Sequence, residues 1–485
     1  MRSRLTVSLK LLLTLIFLTA TGNISADVQD GDAKPMLRGI WIDSWNKGML
    51  SKAECDELVA GVRAANLNAI FPEVRKVGDA YYLGGLEPRA SNIKEDDDWD
   101  ALQYLIDLSH DTSNGKQYIE VHAWLVTFRV WKTNLGDFPE GHLLQVHPDA
   151  IMSNAAGETD GQGSVFADPG HPAVQEWTTK VFRDVAERYD IDGIHHDYVR
   201  YPEFDGDWGH NPESITRFRR RTGFRGPIEP DNPMWQAWRR QQVGDVVRRV
   251  YGEVMEVNPD CVVSAATLNW GLEVDPWTWK TSRPRLKAHQ DWPWFMENGW
   301  LDMNCVMNYT RAETQPDRFP DYTDLAIRTR NDRHAVIGPG AYMNTVENSI
   351  MQMKEAIAKG ADGLNIYCWG SVSKEKLPRA EVLERFKNEL FPTKVPVKER
   401  PWKSNPVYGA IIGQVKHPAG GWADGAQVTL DGVTTTLTDA NGFYAFFRVA
   451  PGEHVVKVRG MTGPEEKGRI NVELGKANRL DIALR

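Results

Sequence analysis

Between residues 37 and 390 the chain alternates eight times between a short run rich in β-branched and aromatic residues and a longer run with helical apolar spacing. The strand-like runs are "LRGIWID" at 37–43, "NAIFPEVR" at 68–75, "YIEVHAWLV" at 118–126 and "IDGIHHDYV" at 191–199. They continue with "CVVSAATL" at 261–268, "LDMNCVMNY" at 301–309, "HAVIGPGAY" at 334–342 and "DGLNIYCWG" at 362–370. Helical runs such as "SKAECDELVAGVRAAN" and "PAVQEWTTKVFRDVAERY" separate them, the first opening with a capping box from Ser51 to Glu54. Parallel strands need a crossover of about a dozen residues or more, and a helix supplies it. Eight such units over about 350 residues predict a (β/α)8 barrel. A doubly wound sheet is the competing arrangement, but no G-x-G-x-x-G or P-loop follows the first strand. The "GPG" at 338–340 reads as a tight strand exit.

The strands share a second feature. Each starts apolar and finishes polar or aromatic: Asp43 and Trp45, Glu73 and Arg75, His122 and Trp124, Asp197 and Arg200, Asn269 and Trp270, Asn308 and Tyr309, Tyr342 and Asn344, and Trp369. In a barrel those ends converge on one face, where active sites sit. Long segments at 127–170, 202–232 and 271–298 are placed to wall a cleft on that face or to cover the rim.

After residue 391 the texture changes. A Pro- and Lys-rich linker at 391–406 leads into 407–485, where apolar residues alternate with period two between Gly turns. That pattern predicts a small all-β sandwich, with "TDANG" setting a hairpin turn.

Composition narrows the function. The chain has 18 Trp, and flat aromatic surfaces in an acidic protein suit the apolar faces of sugar rings, although most Trp are expected simply to pack the core. The formal net charge of −9 argues against nucleic acid. The basic run "RFRRR" at 217–221 is expected to face solvent on a helix. Residues 1–26 combine a basic start, an apolar stretch of about ten residues and a small-residue end. They predict an export signal, a periplasmic or extracellular destination, and no stable membrane insertion after cleavage. Cleavage after Ala26 takes away three positive charges and moves −9 to −12. Cys55, Cys261, Cys305 and Cys368 are expected to be small buried hydrophobes, and no zinc-like Cys/His spacing occurs.

Three chemistries compete at the strand ends. Neighbours on a strand point to opposite faces, so His195 and Asp197 share the inner face while His196 takes the other. With His122 they form a candidate metal set, although a hydrogen-bonded network accounts for them equally, and no cofactor is expected. Glycoside hydrolysis needs two carboxyl groups across the scissile bond, and Asp197 with Glu73 is the best pair. Asp43, Glu120 and Asp302 are further carboxylates, the last two lying early in their strands where stability roles prevail. Arg75 and Arg200 are placed to hold a carboxylate ionised. Trp45, Trp124, Tyr198, Tyr201, Trp270, Tyr309, Tyr342 and Trp369, with His122, His195 and Asn308, are candidate sugar contacts. A barrel that binds glycan without cleaving it is the third reading. Serine chemistry fits poorly, since no G-x-S-x-G elbow is present.

The runs "MLRGIWID", "LNAIFPEVRKVGDAYY", "DGIHHDYVRYP" and "LDMNCVMNY" together resemble the glycosyl-hydrolase-like family 10 domain over roughly residues 36–390. The resemblance implies an exported (β/α)8 protein that acts on or binds a polysaccharide or oligosaccharide. The division-linked members of that family are similar to enzymes that cleave peptidoglycan strands lacking stem peptides. It carries the signature acid to Asp197, with Arg200 and Tyr201 in the same loop, and matches Arg75, Gly78, Asp79 and Tyr82 to the second-strand motif. The chain departs from the pattern at Glu73, where relatives often have Gln or another polar residue, and at His196, where Phe is expected. Glu73 is therefore an additional carboxylate rather than an inherited one. The tail resembles the carboxypeptidase regulatory-like fold, a common appendage of secreted bacterial proteins.

Overall fold

Eight parallel strands close into a barrel in the computed structural model, which describes residues 34–271, 276–460 and 464–485. The expected signal at 1–26 and part of the 271–298 segment lie outside the described residues. The barrel strands are β1 (Leu37–Ile42), β2 (Ala69–Arg75), β3 (Glu120–Val126), β4 (Gly193–Asp197), β5 (Val262–Leu268), β6 (Met303–Asn308), β7 (His334–Pro339) and β8 (Gly363–Ile366). Each pairs with its neighbours in sequence, and β1 pairs with β8 to close the ring. The crossovers carry α1 (Lys52–Ala64), α2 (Ala101–His110), α3 (Pro172–Arg188), α4 (Pro233–Val257), α5 (Trp292–Glu297), α6 (Arg318–Thr329), α7 (Val346–Ala358) and α8 (Arg379–Glu389). The fold expected from the alternation is the fold observed.

Period-two alternation sorts the side chains. Leu37, Trp41, Ala69, Phe71, Trp124, Val262, Ala266, Met303, Cys305, Met307 and Val336 pack inside the barrel. Their sequence neighbours Ile40, Ile70, Val121, Ala123, Ile194 and Val263 pack outward in the larger cluster that includes the helices. Two glycines make room for large inner groups. A Cβ at Gly193 would sit 2.0 Å from His122 Nδ1, and one at Gly338 would sit 2.7 Å from the Trp41 indole. Strand β4 stops at Asp197, two residues earlier than the sequence predicts, because Tyr198 takes a left-handed backbone with φ of 46°.

Helix α1 begins at the expected Ser51 cap, whose Oγ accepts from Glu54 N–H. The Glu54 carboxylate reaches further back than a capping box requires, to the N–H groups of Gly48 and Leu50. All four cysteines are buried and free, as expected for small hydrophobes.

The opposite end of the barrel is closed by residues that read as linker. Arg400 makes two hydrogen bonds to Glu120, and Trp402 Nε1 donates to Asp302, which also lies 3.4 Å from Lys403 Nζ. Burial would push the Glu120 carboxyl up, but Arg400 and His122 outweigh it and hold Glu120 at about 2. Glu120 and Asp302 thus serve the barrel floor, in keeping with their positions early in their strands.

The tail folds into two four-stranded sheets around Ile411, Val428, Tyr444, Val456 and Val458. The "TDANG" segment makes its turn, with Asp439 accepting from the N–H groups of Asn441 and Phe443. The same turn docks on the barrel, where Arg249 donates to Asn441 and Ala440 N–H donates to Gln175. The "RFRRR" run lies on the helix Pro212–Thr222 but does not simply face solvent. Arg217 is fully buried and makes two hydrogen bonds to Asp424 of the sandwich, which Arg220 also reaches. Charge complementarity to a residue some 200 positions away overrides solvation of the run.

Among the described residues, no helix is long and apolar enough to cross a membrane.

Candidate active site

The C-terminal strand ends enclose a cavity of about 310 Å³. Its floor and walls include Trp41, Asp43, Glu73, Trp124, Asp197, Tyr198, Arg200, Glu203, Trp270, Tyr309, Tyr342 and Tyr367, with Trp45, Arg129 and Lys132 toward the outside. Each carboxyl group has a distinct setting.

Glu73 ends the inner row of β2, after Ala69 and Phe71. Its Oε2 accepts from both the N–H and the hydroxyl of Ser44, at 2.9 and 2.8 Å. Oε1 accepts no hydrogen bond from the described residues. Burial raises the carboxyl from 4.5 to about 7, only partly opposed by the Ser44 donors and the charge of Arg129, and assisted by the nearby Asp43. Asp43 follows β1 at the level of Glu73, since Ile42 pairs with Pro72. Asp43 accepts from the N–H and side-chain amide of Asn46.

Asp197 ends β4, two strands away from Glu73 and one layer higher, since Glu73 pairs with Trp124 while Asp197 pairs with Val126. Its Oδ1 accepts from Tyr198 N–H at 2.6 Å and from Arg200 at 3.2 Å. Its Oδ2 accepts nothing from the described residues. Both carboxyl groups therefore use one oxygen for anchorage and leave the other without a protein partner. Arg200 also lies 3.8 Å from Glu203, which accepts from Trp270 Nε1.

The aromatic groups divide by accessibility. Trp270 and Tyr309 stack with centroids 6.4 Å apart, and Tyr309 meets both Tyr342 and Tyr367 edge-on or tilted. Burial pushes the Tyr309 and Tyr367 phenols up, so both remain protonated donors. Trp124 Nε1 is buried at the wall with no partner. Trp45 carries two ammonium groups, Lys76 and Lys132, each 4.4 Å from its ring centroid. Its π-electrons are already engaged, which sets it apart from an open sugar platform.

Of the sequence-selected residues, Asp43, Trp45, Glu73, Trp124, Asp197, Tyr198, Arg200, Trp270, Tyr309 and Tyr342 are brought together on the cavity. Six others lie elsewhere. A bulge between Glu73 and Arg75 turns Arg75 to the outer face, where it makes two 2.6 Å hydrogen bonds to Glu87. His122 points inward below the cavity, stacked on Phe71 and hydrogen-bonded to Glu120. His195 lies beneath Trp41, whose Nε1–H donates to its Nε2 at 3.1 Å, while Nδ1 meets Ser264 Oγ at 2.8 Å. With both ring nitrogens engaged, His195 has no lone pair for a metal, so the His122–His195–Asp197 set does not form a ligand cluster. Burial pushes His195 far below its usual range and His196 to about 3. His196 faces outward against Phe182 of α3, as the two-residue period requires. Tyr201 is buried edge-on to His289. Asn308 turns out to donate to Phe319 C=O in α6. Trp369 packs outside the barrel beside α1, under Arg379.

Comparisons with known proteins agree with the barrel fold. Residues 36–333 match the family model described as glycosyl hydrolase-like 10. The chain belongs to this family. Residues 410–485 match the carboxypeptidase regulatory-like domain. Among curated relatives of this family member, "Glycosyl hydrolase YngK" of Bacillus subtilis (strain 168) is 27% identical over 182 residues, 34% of this chain and 33% of that protein. "Glycosyl hydrolase DigH" of Escherichia coli (strain K12) is 26% identical over 200 residues, 40% of this chain and 42% of that protein. The matches thus span less than half of either relative. The PgaB (BpsB) glycoside hydrolase domain from Bordetella bronchiseptica superposes with a TM-score of 0.54 at 14% identity, covering 75% of this chain and all of that one. A β-galactosidase from the psychrophilic Marinomonas ef1 gives a TM-score of 0.54 at 13% identity over 79% of this chain and 64% of that one. At such identity these two structures share the fold.

Residues outside the sequence-based selection complete the cavity: Trp41, Arg129, Lys132, Glu203, Ala266, Met307 and Tyr367. Trp41 and Tyr367 carried a signal, since both share the inward parity of their strands.

Proposed function

We propose that this protein is a glycoside hydrolase that cleaves a polysaccharide by general acid/base catalysis, with Glu73 as proton donor and Asp197 as the ionised partner. The observation that carries the reading is the contrast between the two carboxyl groups. Burial raises Glu73 to about 7, which suits a group that must hold a proton near neutrality and then release it to a leaving oxygen. Asp197 instead receives an N–H and a guanidinium, donors that suit a carboxylate. Each keeps one oxygen free of protein partners. The Trp124 N–H and the Tyr309, Tyr342 and Tyr367 rings supply a donor and apolar faces for sugar. Family membership and the names of the curated relatives support a glycosidase. Export to the periplasm or the medium is part of the proposal and rests on residues 1–26.

The test is release of reducing ends from a panel of polysaccharides that includes denuded peptidoglycan, by wild type, Glu73→Gln and Asp197→Asn. Each substitution is expected to lower turnover by about 10²- to 10⁴-fold. Unchanged turnover in either variant would remove that residue from the mechanism. Binding without turnover by wild type would favour the glycan-binding alternative.

A further inference from the structure

Three basic groups line the cavity, Arg129, Lys132 and Arg200, with Lys76 next to it on the Trp45 ring, and they are not equivalent. Arg200 is compensated by Asp197 at 3.2 Å and Glu203 at 3.8 Å. Lys76 lies 3.9 Å from Asp79 and is close to Tyr81 and Asn92. Arg129 and Lys132 are different. Among the described residues neither makes a hydrogen bond through its side chain, and no carboxylate lies within 4.0 Å of either. The Arg129 Nε is buried without a partner, and its guanidinium rests on Tyr198, 3.8 Å from the ring centroid. The Lys132 ammonium rests on Trp45. Glu73 favours the Lys132 charge and feels that of Arg129, but burial raises its own carboxyl toward neutrality.

Both cations come from one short strand, Arg129–Lys132, which is held rigid by antiparallel pairing with Ser164–Phe166. Two π-faces hold two positive charges at the mouth of a cavity, in a chain whose net charge is −9. Unpaired cations next to each other cost electrostatic energy in the empty protein, and burial, then the charge of Arg129, push the Lys132 ammonium down. An anion placed between them relieves that cost.

Resting on the hydrolase reading of the same cavity, we infer that Arg129 and Lys132 form a subsite for an anionic substituent on a sugar, and that the substrate is an acidic glycan. A carboxylate or sulfate ester carried by the sugar beside the Trp45 edge of the cavity is the matching chemistry. The two residues determine specificity and take no part in proton transfer.

The test measures binding rather than turnover, so that it stands apart from the hydrolase reading. Wild type, Arg129→Gln, Lys132→Gln and the inactive Glu73→Gln are run by affinity electrophoresis in gels containing polygalacturonate, denuded peptidoglycan strands or a sulfated galactan. Matched gels contain the carboxyl-reduced or desulfated polymers. Wild type and Glu73→Gln are expected to be retarded by at least one acidic polymer, and the polymer identifies whether the anion is a uronate, a lactyl ether or a sulfate. Each of Arg129→Gln and Lys132→Gln weakens that affinity by about tenfold or more, as for loss of a charge-assisted hydrogen bond. On the neutralised polymer the difference between wild type and the two variants disappears. Equal retardation by the acidic polymer and its neutral form overturns the inference, as does wild-type retention in Lys132→Gln and Arg129→Gln together. Acid-dependent binding with no hydrolysis by wild type would instead sink only the hydrolase reading. The net negative charge of the chain opposes adsorption to polyanions, so acid-dependent retention reports the local subsite.

Discussion

Glu73 makes a prediction about stability that is independent of any substrate. Its carboxyl is raised by burial from 4.5 to about 7. A folded-state value above the unfolded one means that ionisation opposes folding. The cost is absent below about pH 4.5, grows as pH rises, and is complete above about pH 7. At 1.36 kcal/mol per unit it reaches about 3 kcal/mol. Glu73→Gln removes the titration and keeps a side-chain oxygen to accept from Ser44. For a cooperative unit of about 450 residues, 3 kcal/mol corresponds to about 3 °C in Tm. Differential scanning calorimetry of both proteins is run at about pH 5 and about pH 8.5, at one scan rate. The Tm advantage of the variant is expected to be about 1 °C or less in acid and about 3 °C in base. A constant difference at both pH values, or a variant less stable in base, would refute the reasoning.

Other substitutions test the architecture. Arg75→Met strands the Glu87 carboxylate in the interior and is expected to cost about 3–5 kcal/mol, read as a fall in Tm, without the pH signature of Glu73→Gln. Gly193→Ala drives a methyl group to 2.0 Å from His122 Nδ1, and a loss of about 1–3 kcal/mol is expected in thermal unfolding. Asp424→Ala removes the two hydrogen bonds that the buried Arg217 guanidinium makes to Asp424 and leaves it only those to Gly170 C=O and Gln242. It is expected to lower Tm by about 3 °C and to speed proteolytic cleavage between barrel and sandwich, with about 3 kcal/mol at stake.

The barrel was legible because two periods, 2.0 and 3.6, alternate along the chain without a break. The same period-two rule places Asp43, Glu73, Asp197 and Tyr309 on the inner face, and the cavity contains all four. Applied more strictly it would have set aside Asn308, which alternates with the inward Met307 and Tyr309. It could not foresee Arg75, because a bulge inserts one residue and reverses the face. Trp41 reads as an ordinary core residue. Only Gly338, two strands away on β7, leaves room for an indole that reaches into the interior and caps His195. Arg129 and Lys132 escaped selection because they lie beyond the end of β3, on a strand whose partner is some 35 residues away. The buried Arg217 was hidden for a related reason. Its partner Asp424 belongs to the other domain, and no local pattern announces so distant a charge.

The central claim is that Glu73 donates a proton to the departing oxygen while Asp197 acts as a carboxylate. The most direct test compares two leaving groups in Glu73→Gln and Asp197→Asn. One is the sugar of the polysaccharide that wild type cleaves. The other is nitrophenolate, in the aryl glycoside of the same sugar, which departs without protonation. Glu73→Gln is expected to lose about 10²- to 10⁴-fold on the polysaccharide and far less on the aryl glycoside. Asp197→Asn is expected to lose activity on both. Equal losses on the two substrates in Glu73→Gln, or retained polysaccharide cleavage in either variant, would contradict the account.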